Sequence, residues 1–174
     1  QTITPDVPTF EQNQARILAL FFSLFISASI IILSFLNWAE TAYIKLFSFN
    51  PFSLLIFLIK VQNNKMMMSF LGSDVETGML LLIVLLLVLL SIPFFHIIYL
   101  LKLICNSVNS RTWGFGTCTV AIVITAIFNS LFIYAYTENI PVVPTFVPIL
   151  ILILCIGHLF VIPKAYPKTK KSKN

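Results

Sequence analysis

The sequence predicts an all-α integral membrane protein, a four-transmembrane-helix bundle with a partly membrane-embedded outer loop between helices 1 and 2. Three observations predict it. The 174 residues are 59% hydrophobic and only 10% charged, whereas a soluble domain is about 45–50% apolar and about 25% charged. Mean hydropathy is +0.99, so the chain cannot cover its own surface in water. Four long apolar runs are free of Asp, Glu, Lys and Arg, and each is continuous rather than alternating, as helices in lipid require and barrel strands do not. The whole chain, 1–174, reads as a single membrane domain.

The first run, 17–36, is longer than the apolar core of a signal peptide and is read as a span. The second, 79–101, carries MLLLIVLLLVLL and then SIPFFHIIYLL; its leucine-rich half has no small face and suits lipid or a hydrophobic partner. The third is 117–136 and the fourth, the shortest, 146–162. All four can cross about 30 Å of hydrocarbon at about 1.5 Å per residue. Between the first two lies a fifth apolar segment, 43–61, bracketed by Lys45 and Lys60 and broken by Asn50-Pro51. Proline lacks an N–H and asparagine favours turns, so the expectation is a short helix or hairpin in the membrane interface, with a fifth span as the alternative.

Charge orients the bundle. Arg16, Lys102, Arg111, Lys164, Lys168, Lys170, Lys171 and Lys173 fall on one side and Lys45, Lys60 and Lys65 on the other. Eight against three predicts both termini in the cytoplasm, and a plasma membrane is the expected location. The polybasic tail 163–174 fixes topology, and Lys164, Lys168, Lys170, Lys171 and Lys173 can attract anionic lipid headgroups, each contributing about 1 kcal/mol. It lacks the aromatic interleaving and basic face of a nucleic-acid site, so no nucleic-acid partner is expected.

Chemistry is scarce. Cys105, Cys118 and Cys155 all lie away from the outer loops, so no disulfide is expected there, and the cysteines read as small buried hydrophobes. The layout resembles claudins and tetraspanins in outline, but without a Gly-Leu-Trp-Cys-Cys or Cys-Cys-Gly pattern nothing carries over. The six carboxylates lie outside the spans, with Asp74 and Glu76 placed to cap the second helix. Trp113-Gly114-Phe115-Gly116 reads as a cytoplasmic turn. With no metal-ligand motif and no nucleophile elbow, neither a metal nor catalysis is expected.

Two ionisable residues lie within spans, His96 and His158, each six residues before a span-ending lysine. Both imidazoles should therefore sit about 9 Å in from the same membrane face. Matched histidines on two helices are what axial ligation of haem b requires, and Gly157 would let a macrocycle approach. The plainer expectation is that each imidazole hydrogen-bonds a neighbouring helix. Ser23, Ser27 and Ser34, and Ala121, Thr125 and Asn129 with Cys118, recur at helical spacing and form small polar stripes for close packing and interhelical hydrogen bonds.

These readings converge on a non-catalytic accessory, regulatory or assembly subunit. Its expected partners are membrane lipids and another integral membrane protein or a second copy of itself. The alternatives are a haem-b electron-transfer subunit using His96 and His158, and a small channel or lipid transporter in which Asn129 is the residue to test.

Overall fold

A computed structural model describes residues 10–41, 48–63, 75–105, 109–138 and 142–166. The helices are α1 (Phe10–Ser34), α2 (Pro51–Asn63), α3 (Val75–Ile104), α4 (Ser110–Thr137) and α5 (Val147–Ala165). All but α2 are long and apolar enough to cross a membrane. They exceed the apolar runs by several residues at most ends, because hydrocarbon ends a hydrophobic run before it ends a helix.

α1 and α4 each pack between α3 and α5. The four long helices thus form a square, with α1 and α4 on one diagonal and α3 and α5 on the other. Each contributes one buried stripe at spacings of three and four. On α1 it is Ala19, Ser23, Ser27, Ile30 and Ser34, and on α5 it is Ile151, Cys155, His158, Ile162 and Ala165. Lipid tails are as apolar as leucine, so helices associate in a membrane through close packing of small residues. Large side chains such as Phe21, Phe25, Leu81 and Leu87 accordingly point outward.

Two short strands after α1, β1 (Ala39–Thr41) and β2 (Ser48–Phe49), pair antiparallel, and β1 also pairs with β3 (Val142–Pro144) between α4 and α5. This three-stranded sheet, ordered β2-β1-β3, joins the two loops at one end of the bundle. Trp38 locks the junction. Its N–H donates to the Phe49 carbonyl at 2.8 Å and its carbonyl accepts from the Thr145 N–H at 3.0 Å. Its fully buried ring meets Phe128 edge-on at 5.3 Å.

Asn50-Pro51, expected to break the fifth apolar segment, starts α2. Asn50 Oδ1 accepts from the Ser53 N–H at 2.8 Å, and proline at the first helical position loses no helical hydrogen bond. The 13-residue helix is too short to span. It packs on α3 through its own Leu54 and Leu58, leaving Phe52, Leu55, Ile56 and Ile59 exposed. Residues 43–47 of the segment lie outside the described residues, as does Asp74, the expected cap of α3.

The opposite end corrects one expectation. Trp113 to Gly116 is not a turn but the first part of α4. The reason is packing: a Cβ on Gly114 would lie 2.8 Å from Tyr99 Cε2 and 3.0 Å from Ile162 Cδ1, so glycine serves close approach of three helices rather than a bend. Gly114→Ala should therefore cost about 1–3 kcal/mol by overpacking, read as a lowered melting temperature in detergent. Gly116→Ala, which meets nothing within 4 Å, is the matched control and should leave it unchanged or raised. Around this end Lys102 Nζ lies 4.9 Å from the Trp113 ring centre, and Arg111 donates to the Tyr166 carbonyl at 2.9 Å, satisfying an end of α5.

Candidate functional site

The square arrangement brings α3 and α5 together across the bundle centre, and there the sequence has placed its two histidines. His96 and His158 are both fully buried. Together with Cys118 of α4, also fully buried, they present ligand atoms that all lie within 4.8 Å of one another.

The hydrogen bonds define the imidazoles. His96 Nδ1 lies 2.9 Å from the Ile92 carbonyl; a carbonyl only accepts, so Nδ1 carries the proton and Nε2 keeps a lone pair. That Nε2 is buried and has no hydrogen-bond partner among the described residues. His158 is held from both sides, with Ser23 Oγ of α1 at 2.6 Å from Nε2 and Cys118 Sγ at 3.4 Å from Nδ1. The Ser23 hydroxyl also lies 2.6 Å from Tyr99 Oη of α3. A chain Tyr99–Ser23–His158–Cys118 thereby links all four long helices through buried polar atoms. Cys155, one turn before His158 on α5, is also fully buried.

The two histidines that the lysine spacing aligns in depth thus have ring nitrogens within 4.8 Å of each other. Gly157 is different: it faces away, and a Cβ there would meet nothing within 4 Å. The Cys118 thiol lies within 4.8 Å of a ring nitrogen of each histidine. A cavity of about 240 Å³ lies elsewhere, lined by Phe95, Thr112, Trp113, Gly116, Thr117 and Val120 between α3 and α4.

The packing stripes are buried as their spacing implies, but their hydrogen bonds run along helices rather than across them. Ser34 Oγ donates to the Ile30 carbonyl at 2.7 Å, and Thr125 Oγ1 to the Ala121 carbonyl at 2.7 Å. Asn129 Nδ2 donates to the Thr125 carbonyl at 2.8 Å from a half-buried position. A hydroxyl surrounded by hydrocarbon turns back to the carbonyl one turn earlier, and what remains is a small surface against which another helix packs. Ser23 and Cys118 are the exceptions that cross helices. Ser27 Oγ, one turn later, is buried without a partner among the described residues. Ala121 is fully buried beside Cys118. Lys164 is exposed at the end of α5, and Lys168, Lys170, Lys171 and Lys173 lie outside the described residues.

Sequence reasoning missed Cys118, Cys155, Tyr99 and Ser23 as parts of one site. Cys155-Ile-Gly-His158 was the available signal, since a three-residue spacing puts thiol and imidazole on one helix face. The other members come from three different helices. No family model, curated protein or solved structure matches this chain.

Proposed function

We propose that this protein is a non-catalytic accessory or assembly subunit of a membrane protein complex, binding a partner membrane protein beside the sheet end of the bundle. The observation that carries the reading is α2. It is too short to span, it is pinned to α3 by Leu54 and Leu58, and it presents Phe52, Leu55, Ile56 and Ile59 outward. Such a face is costly in water and suited to lipid or an apolar helix of a partner. In this reading the sheet end lies outside and both termini lie in the cytoplasm, following the lysine and arginine asymmetry, with the basic tail on anionic headgroups.

A photo-crosslinkable residue at Ile56, with purification in mild detergent, tests this directly. One stoichiometric membrane protein captured at Ile56, and lost when the probe is moved to buried Leu54, is the expected result. A chain that runs as a monomer, crosslinks only lipid and carries out a transport or redox activity by itself would overturn it.

The second reading, haem-b electron transfer, is favoured by one observation: ring nitrogens of His96 and His158 lie within 4.8 Å of each other. It requires Cys118 and the Ser23 hydroxyl to withdraw so that a macrocycle can enter. A Soret band in the purified protein, abolished by His96→Ala and by His158→Ala, would establish it over the first.

A further inference from the structure

The inward face of the bundle contains three groups able to ligate a metal ion that the accessory role does not use. They are the lone pair of His96 Nε2, the Cys118 thiol and the Nδ1 of His158. We propose that His96, Cys118 and His158 bind a single monovalent copper ion, Cu(I), in the centre of the bundle, independently of whether the protein serves a partner.

Four features support the assignment. The first is geometry. An ion about 2.0–2.3 Å from each of three donors places those donors roughly 3.5–4 Å apart; Cys118 Sγ and His158 Nδ1 are already 3.4 Å apart, and the whole trio lies within 4.8 Å. The remaining adjustment is on the order of 1 Å or less, within reach of side-chain rotation.

The second is the orphaned nitrogen. His96 is fully buried with its Nε2 unpartnered, and a buried acceptor without a partner costs about 1–3 kcal/mol. A metal ion converts that cost into a bond. The third is the outer support. Ligating histidines usually donate their second N–H to a fixed acceptor, which sets the tautomer. His96 does so to the Ile92 carbonyl and His158 can do so to Ser23 Oγ, itself fixed by Tyr99.

The fourth is charge. Two neutral imidazoles and one thiolate carry a single negative charge, which a monovalent cation cancels. Uncompensated charge in an apolar interior is expensive, so a divalent ion on the same trio would leave a net positive charge among hydrocarbon. Thiolate and imidazole are also the soft and borderline donors that Cu(I) prefers. Binding is proton-balanced: the Cys118 S–H bond breaks as the sulfur–copper bond forms, one proton leaves to solvent per ion, and copper stays in the +1 state throughout.

The test uses the full chain in detergent, without oxygen, titrated with Cu(I) buffered by bicinchoninate, with metal per chain measured after desalting. One copper per chain is expected, with X-ray absorption showing a mixed nitrogen and sulfur shell. Cys118→Ser and His96→Gln should each weaken binding at least tenfold, whereas Cys105→Ser, which alters an exposed thiol, should leave it unchanged. Circular dichroism and gel filtration establish that each variant is folded. If His96→Gln does not fold, His96→Asn supplies the same comparison. Copper binding that survives the Cys118 and His96 changes, or wild-type copper no higher than that of a chain carrying both Cys118→Ser and His96→Gln, overturns the proposal. So does tighter retention of Zn(II) at these residues, which would recruit Cys155 as a second thiolate and make a different, four-donor site.

Discussion

Trp38→Ala should lower stability by about 3–5 kcal/mol, the range for removing a large aromatic from a packed interior. Trp38 is the bulkiest fully buried side chain in the described structure. Its ring fills the space in front of Phe128, which in turn contacts Phe49 and Phe132. The cavity would open at the point where α4, the sheet and the start of α2 converge, so collapse in any one direction is resisted by the others. Trp38→Phe separates ring from N–H. The indole Nε1 has no hydrogen-bond partner among the described residues, so phenylalanine removes a donor that contributes no bond and keeps much of the packing. The expected order in detergent unfolding is wild type, then Trp38→Phe close behind, then Trp38→Ala well below. Equal losses for both variants would mean that the indole N–H matters more than the ring.

Ser23→Ala is the second large effect, at roughly 2–4 kcal/mol. A single interhelical hydrogen bond in a membrane contributes only about 0.6–2 kcal/mol. Ser23, however, touches two buried groups, Tyr99 Oη and His158 Nε2, and leaving each without a partner costs about 1–3 kcal/mol. The orphaning term is therefore larger than the bond itself. A double-mutant cycle isolates it: Tyr99→Phe removes one of the two orphaned groups, so Ser23→Ala should cost less in that background. Strict additivity of the two losses, measured by thermal unfolding, would show that the hydroxyls do not interact.

The four long helices were legible because hydrocarbon imposes one rule on every turn of a span, and composition records it. Expected spans at 17–36 and 117–136 became helices over 10–34 and 110–137; the extra residues are mostly polar or glycine, and no hydropathy argument reaches them. The short helix after Asn50 was legible in kind, because proline at a helix start and proline in a helix interior leave different traces on either side. The sheet was not. β1 and β3 are three residues each and come from loops about a hundred residues apart, so neither carries a pattern alone. The site was half legible. Equal distance from a lysine aligns two histidines in depth, but which helix faces which is a packing outcome, and Cys118 joins the histidines only because α4 sits between α3 and α5. Gly114 looked like a turn because glycine has two uses, and only the Tyr99 ring against it separates them.

The pairing of Ala39 with Pro144 also sets an order of events during biogenesis. When α1 has left the ribosome, Trp38 can find Phe49 within a dozen residues, but the Thr145 N–H that takes its carbonyl does not yet exist. At about 5–20 residues per second, the missing strand arrives roughly 5–20 s later. Throughout that interval the first helix can pack on α3 but not yet on α5, and the bundle closes only when the last loop and α5 have been translated. A chain stalled just short of Val142 would therefore be inserted but unfastened, a state that quality-control proteases could distinguish from the finished protein by its open sheet edge.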